Sequence, residues 1–432
     1  MEKLLLKKAA IQSIALMLAV LTFSFALQQY RGILISADSR SSGKGLTSSE
    51  GSLNALQGDL VTSDEEIMGK EAYESENPLD ELPVMSQDHS SKDLKGNKDE
   101  IEDQLGEKYI KIRKPSENIS LELEDLYINK SIKLILKGLS NSTIDDTWIN
   151  RVNKESSYTG TPKFVVRRNM VLDEDGEMKE EIEKDYGNDF VYGITINTDH
   201  EGSKPNLRSE VLLELDTVYC YTIHDTENHF YIELKKPEDV YDKILVIDAG
   251  HGGKDAGALS IGEEYYEKNI NLAIMLHLKE MLDKENIKVY YTRLGDDKVF
   301  LRPRVELANS VNCDFFISIH NNANVISSPS GTEVLYYDRE VKGVNQRKLA
   351  SIFLDELDQA IPLPSRWIIE MKKDDVFVLN HATVPAILIE VGYLTNPYDM
   401  KFLSKTENQK LVAQGIFNGI MRAYDQFKLE KE

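Results

Sequence analysis

Cysteine and positive charge are what this chain has least of. Among 432 residues there are two cysteines, Cys220 and Cys313, too few for a disulfide framework or a four-cysteine zinc site, so stability must come from burial. Each lies in an apolar, strand-like run, where a buried free thiol is the expectation. Lysine and arginine number 51 against 73 aspartate and glutamate, a net charge of -22. Nonspecific binding along a phosphate backbone needs the opposite surplus, so nucleic acid is excluded as a partner. At this length the chain should form two or three units, with enough apolar residues, 41%, to bury a core in each.

Residues 1–36 read as a signal peptide or signal anchor. Met1-Glu2-Lys3-Leu4-Leu5-Leu6-Lys7-Lys8 places positive charge ahead of an uncharged, mostly apolar run from Ala9 to Leu27, the arrangement that directs membrane insertion. That run nearly reaches the roughly 20 residues needed to span a bilayer, while Ser24-Phe25-Ala26 supplies small residues of the kind cleaved by a signal peptidase. Export to the envelope or beyond is expected, with membrane anchoring through the N-terminus if the segment is kept. Residues 37–107 then hold eighteen acidic residues against six basic ones and almost no aromatics. Too little apolar surface is present to offset the entropy of ordering, so a solvated, disordered spacer is expected.

Residues 108–238 change to a period of two, as in Ser131-Ile132-Lys133-Leu134-Ile135-Leu136-Lys137 and Val191-Tyr192-Gly193-Ile194-Thr195-Ile196-Asn197. Such alternation marks half-buried strands. Val218 to His224 and His229 to Leu234, joined by Asp225-Thr226-Glu227-Asn228, form a hairpin pattern. Short strands without a long helix predict a small all-β, sandwich-like accessory domain. His200, His224 and His229 have no partner at metal-ligand spacing and are expected on the surface or on strand faces.

Residues 239–432 alternate apolar strands with amphipathic helices. Ile244 to Ile247, Lys288 to Thr292, Phe315 to Ile319, Thr332 to Tyr336 and Ala386 to Ile389 read as strands. Helices are expected where Ile270, Ile274, Leu278 and Met281 share a face, and over Val305 to Val311, Asn345 to Gln359 and Glu407 to Phe427. This order predicts an α/β domain with a mainly parallel sheet flanked by helices. In such sheets ligands bind at the carboxyl ends of the strands. His251 follows the first strand in Asp248-Ala249-Gly250-His251-Gly252-Gly253, His320 follows another in Ser318-Ile319-His320-Asn321-Asn322, and Glu390 closes the last buried run. A carboxylate after four apolar residues is costly unless a cation or partner stands beside it. Two imidazoles and one carboxylate form a catalytic zinc set with a fourth position open for water. On these grounds Glu263, Glu264 and Glu267 all remain candidates for the carboxylate. A dinucleotide fingerprint fails, because Asp255 stands where the last glycine of G-x-G-x-x-G belongs, and no H-E-x-x-H sequence occurs.

With Glu267-Lys268-Asn269-Ile270-Asn271-Leu272, Thr292-Arg293, Arg304 with Ala308-Asn309, and Ile389-Glu390-Val391-Gly392-Tyr393-Leu394-Thr395-Asn396-Pro397, these segments place residues 243–427 in resemblance to a known family. They resemble the zinc-dependent N-acetylmuramoyl-L-alanine amidases of the type 3 catalytic domain, found in bacterial cell-wall autolysins and cell-separation enzymes. The resemblance implies one Zn2+ held by His251, Glu267 and His320, Glu390 as catalytic carboxylate, and peptidoglycan as substrate, cut between N-acetylmuramic acid and L-alanine. It also implies that the β-rich segment resembles a wall-binding sandwich. Asn322 and Arg304 are candidate substrate contacts, with pairing of Arg293 or Arg304 to Asp248 or Asp255 as the alternative. His381 is a further hydrogen-bonding candidate, or simply a loop residue. Little more than fifty residues separate Tyr336 from Glu390, leaving no room for the occluding helical insertion of some relatives. A monomer is expected. The competing functions are hydrolysis of another amide by a related metallo-enzyme and noncatalytic wall binding.

Overall fold

The computed structural model describes residues 98–115, 118–139, 144, 146–154, 165–172, 178–185, 190–198, 207–372 and 375–429. The predicted signal segment, most of the predicted spacer and His200 lie outside the described residues. The spacer ends earlier than the composition suggested. A short helix, α1 (Lys98–Gln104), precedes the first strand, and Ile101 and Leu105 are buried against Tyr109 and Tyr231. Apolar residues four apart share one helical face, a signal that the surrounding acidic residues obscure.

Ten strands follow: β1 (Lys108–Arg113), β2 (Ser120–Leu126), β3 (Ser131–Leu139), β4 (Ile149–Asn153), β5 (Val165–Leu172), β6 (Met178–Asp185), β7 (Val191–Thr198), β8 (Leu207–Leu215), β9 (Cys220–Asp225) and β10 (His229–Lys235). They pair as two antiparallel sheets, β4-β1-β10-β9 and β2-β3-β8-β7, plus the β5-β6 ribbon. Ile110 and Ile112 of one sheet and Ile132, Leu134, Val211 and Leu213 of the other share one apolar core, because alternate residues of each strand point to the same side. Histidine 224 is a buried strand-face residue, its Nε2 3.4 Å from Glu233 Oε2 on the neighbouring strand. Both cysteines are free and buried.

The C-terminal part is a six-stranded sheet in the order β12-β11-β13-β18-β14-β17, built from β11 (Ile244–Ala249), β12 (Lys288–Tyr291), β13 (Phe315–Asn322), β14 (Thr332–Tyr336), β17 (Ser365–Glu370) and β18 (Ala386–Tyr393), with a small β15 (Glu340–Val341) and β16 (Val344–Asn345) hairpin beside it. Helices α2 (Glu267–Leu282), α4 (Gln346–Ala360) and α7 (Thr406–Phe427) cover one face, where Ile274, Leu278, Phe353, Ile416 and Ile420 pack on Ile247, Ile317 and Ile389. On the other face α3 (Leu301–Ser310) and α5 (Phe377–His381) bring Val305, Ala308 and Val378 against Val246, Phe316 and Leu388. The β-rich layers join this second face: the Tyr127 hydroxyl donates to the Tyr291 carbonyl at 2.8 Å and the Tyr127 and Tyr290 rings meet edge-on at 5.2 Å.

The sheet is mixed, with four of its five strand pairings parallel and one antiparallel. Strands β12, β11, β13 and β18 run parallel, but β14 is antiparallel to β18 and β17 is parallel to β14. No helix lies between β13 and β14, so the chain cannot cross back to the opposite edge and must re-enter the sheet reversed. Sequence reading also passed over β17, α5 and the helix α6 (Pro397–Leu403).

Candidate metal centre

Two glycine contacts explain how His251, Glu267 and His320 come within reach of one another. Beyond β11 the chain turns through His251 in the left-handed region, φ +63°. Arg304 Nη2 holds that turn by donating to the His251 carbonyl at 2.7 Å, offsetting the strain of this conformation in a residue with a Cβ. A Cβ on Gly250 would collide with the His320 ring, and one on Gly257 would stand 2.5 Å from Glu267 Oε2. Glycine there is a requirement of close approach. Glu267 opens α2 and is buried, whereas Glu263 and Glu264 are exposed, so the fold selects among the three carboxylates.

Glu267 lies between the histidines. Its Oε2 is 3.1 Å from His251 Nε2 and its Oε1 is 2.9 Å from His320 Nδ1. The imidazoles meet edge-on with centroids 4.9 Å apart, and one donor atom from each of the three residues lies within 4.8 Å of the others. A set of two nitrogens and one carboxylate oxygen fits a divalent ion with bonds of about 2 Å and an open position. The surroundings hold Glu267 ionised: the Ala258 and Asn321 amides donate to it at 2.7 and 3.0 Å, and Asn271 Nδ2 at 3.2 Å. Burial raises its pKa, but the bonds and charges of the two histidines overwhelm that effect and carry it far below the usual carboxylate range. For His251, burial lowers the pKa while Glu267 and then Asp255 raise it more, to about 9. Asn271 also donates to the Gly250 carbonyl and accepts from Asn321 Nδ2 at 2.7 Å, fixing the carboxylate's neighbour as well as the carboxylate.

Glu390 stands beside His320 in register, and on its other side beside Glu333 of β14. Its Oε2 is buried without a hydrogen-bond partner. Burial pushes its pKa up to about 7; the charge of His320 opposes the shift, and those of Glu267 and Glu333 add to it. A carboxylate held near neutrality with a vacant oxygen is suited to taking and returning a proton. Sequence reading missed Glu333, although one charge in the apolar run Thr332-Glu333-Val334-Leu335 carries the signal that drew attention to Glu390. Glu333 is buried and accepts from the Tyr393 hydroxyl at 3.0 Å and Asn322 Nδ2 at 3.2 Å, with Arg366 Nε 3.0 Å away.

A family model described as N-acetylmuramoyl-L-alanine amidase matches residues 245–422. Uncharacterized protein YqiI of Bacillus subtilis (strain 168) is 37% identical over 189 residues, 44% of this chain and 88% of that protein. The germination-specific N-acetylmuramoyl-L-alanine amidase of the same organism is 31% identical over 196 residues, 42% of this chain and 80% of that protein. The chain belongs to the N-acetylmuramoyl-L-alanine amidase family. Among solved structures, the catalytic domain of the amidase CwlV from Bacillus (Paenibacillus) polymyxa var. colistinus is 36% identical, with 42% of this chain and 98% of that chain covered at a TM-score of 0.40.

In this amidase several shared motif residues prove to brace the site from below. Arg304 is buried, and its guanidinium turns inward to Asp248 Oδ1 at 2.5 Å and to the carbonyls of Ala249, His251 and Val299. The substrate contact expected of Arg304 therefore gives way to the internal pairing, since its donors are already engaged. Arg293 likewise donates to the carbonyls of Ala249, Gly250, Lys268 and Gly295. Asn396 caps α6, accepting from the Tyr398 and Asp399 amides at 2.9 and 3.2 Å, as a helix start requires. Asp399 then accepts from the Gly331 and Tyr393 amides, tying the end of β18 to the start of β14. Asn322 is half-buried beside the amidase centre, bonded to Glu333 and to the Ala323 amide. His381 bonds the Phe377 carbonyl at 3.0 Å and stacks on that ring at 4.0 Å, and it is not a member of the metal-capable group. A cleft of about 730 Å³ opens next to His251 and His320 and runs past Lys254 and Lys298 to Phe377.

Proposed function

We propose that this amidase is a zinc-dependent peptidoglycan hydrolase that cleaves the amide between the lactyl group of N-acetylmuramic acid and the L-alanine of the stem peptide, in wall remodelling or cell separation. The observation that carries the reading is the meeting of His251, Glu267 and His320 beside the vacant Oε2 of Glu390. His251, Glu267 and His320 would hold Zn2+, whose contribution when bound is Lewis acidity toward water and the scissile carbonyl. Glu390 takes the proton of the attacking water on Oε2 and returns it to the departing amine nitrogen of L-alanine. Its raised pKa serves both transfers near neutral pH. Asn322 is the remaining candidate for a substrate contact beside this pair.

Residues 1–36 would export the chain and could anchor it in the membrane; the spacer after them would carry the enzyme toward the wall. Among the described residues no helix is long and apolar enough to cross a membrane. The β-rich unit, 108–238, would serve as a wall-binding accessory to the catalytic unit, 239–432.

The test is incubation of the purified protein with peptidoglycan and zinc, followed by mass spectrometry of the products. Free peptides beginning with L-alanine support the reading, and released disaccharides without such peptides refute it. Glu390→Ala should keep zinc and lose hydrolysis; a fully active variant would remove Glu390 from the mechanism.

A further inference from the structure

One row of side chains crosses the sheet from the metal centre to its edge. His320 is in register with Glu390, Glu390 with Glu333, and Glu333 with Trp367 of β17. Neighbours in register on adjacent strands point to the same face. Packing confirms the direction of the last member: Ile368, the next residue along β17, packs on the helix-covered core with Val334 and Ile389, so Trp367 faces the opposite side, as Glu390 does. Two strand spacings, about 10 Å, separate Trp367 from Glu390 along this row, near enough for one substrate molecule to touch both.

Trp367 is 60% exposed, on a strand that has no further neighbour in the sheet among the described residues. Its neighbour Arg366 is tied down on several sides. The pairing of β14 with β17 shifts register between Thr332 and Glu333, and the extra residue in β17, Arg366, reaches Glu333 at 3.0 Å. An edge bulge of this kind re-aims a side chain. Arg366 also donates to the Ser330 carbonyl at 3.2 Å and lies 5.5 Å from the centre of the Tyr393 ring. An exposed indole beside a backbone tied to a buried carboxylate suits a ligand with one apolar and one polar aspect, since the ring offers a broad apolar face and the Nε1–H a donor.

We propose that Trp367 is a saccharide platform, on which an N-acetylated pyranose ring of the glycan strand stacks while the scissile amide sits at Glu390. The proposal rests on the peptidoglycan reading above: that substrate has a sugar on one side of the amide and a peptide on the other. The flat face of a pyranose carries C–H groups that match the indole face, and its hydroxyl and acetamido groups remain in water. The peptide then extends the other way, into the cleft toward Lys254, Lys298 and Phe377.

The full chain holds two tryptophans, Trp148 and Trp367, so Trp148→Phe leaves Trp367 as the sole indole emitter. Peptide-free glycan strands of alternating N-acetylglucosamine and N-acetylmuramic acid should shift or quench that emission saturably, and free stem peptide should not. With intact peptidoglycan fragments Trp367→Ala should raise KM about tenfold with kcat little changed, the size expected for one lost aromatic contact, and Trp367→Phe should recover much of the loss. An emission unmoved by glycan, or moved by the stem peptide alone, overturns the platform. The emission experiment needs no turnover, so a protein that fails to hydrolyse peptidoglycan sinks the proposed activity while glycan binding at Trp367 is still decided.

Discussion

Arg304 and Asp248 form a fully buried ion pair, Nη1 to Oδ1 at 2.5 Å, beneath the turn that carries His251. Thr292 and Ser318 donate to the same carboxylate at 2.7 and 2.6 Å. The pair thus joins β11, the end of β12, β13 and α3, and so braces the two strands, β11 and β13, that carry His251 and His320 to the candidate metal centre.

Removing one member leaves the other charge buried and unpaired. Arg304→Met should therefore destabilise the fold by about 3–5 kcal/mol, read as a lower urea midpoint. The double variant Arg304→Met with Asp248→Asn should recover part of that loss. A single variant as stable as wild type would contradict the inward role of Arg304.

Acid should expose the same pair. Burial alone would raise the Asp248 pKa, but the charge of Arg304, then His320 and the two hydroxyls, bring it down to about 2. The folded value lies below the unfolded one of about 3.9, so the stabilisation is present above pH 4 and disappears as pH falls toward 2. The shift corresponds to about 2–3 kcal/mol. Urea unfolding followed across this window should show a steeper decline in wild type than in Asp248→Asn; parallel declines would assign the acid sensitivity elsewhere.

Asn271 touches no substrate in the proposed mechanism, but it bonds Glu267, the Gly250 carbonyl and Asn321. Asn271→Ala should weaken zinc binding about 10–100-fold in a chelator competition, with the unfolding midpoint changing far less than for Arg304→Met. Unaltered zinc affinity would show that Glu267 is held by its backbone donors alone.

Gly250 offers a steric test of the centre. A methyl group there meets the His320 ring, so Gly250→Ala should displace the imidazole, with loss of bound zinc and of hydrolysis. The far-ultraviolet circular dichroism should stay that of wild type, because Gly250 lies just past β11. Full zinc occupancy in this variant would mean that His320 can move aside without leaving the ion.

The strands of the catalytic unit were legible because buried runs such as Ile244 to Ile247 and Ala386 to Ile389 have no other good place in a soluble fold. Histidine or glutamate at or within four residues of the end of such a run marked three candidate site residues without any contact information. Less was visible where the signal was short or hidden. β17, Ser365-Arg366-Trp367-Ile368-Ile369-Glu370, has no buried residue and shows no clean alternation of apolar and polar residues, and Ile101 of α1 and Leu105 just after it are buried inside an acidic stretch.

Period, apolar run length and the need to satisfy a charge are properties of a few neighbouring residues, and these by themselves brought out the two architectures and singled out His251, His320 and Glu390 as candidates, although His320 and Glu390 lie inside β13 and β18 and not at their ends. Which acidic residue meets the histidines, whether Arg304 points inward or outward, and which strand stands beside Glu390 depend on packing between segments far apart in the chain. The reversal of β14 shows why. It places Glu333 next to Glu390 and, one strand further, Trp367, a register set by how whole strands align across the sheet and not by any local pattern in their residues.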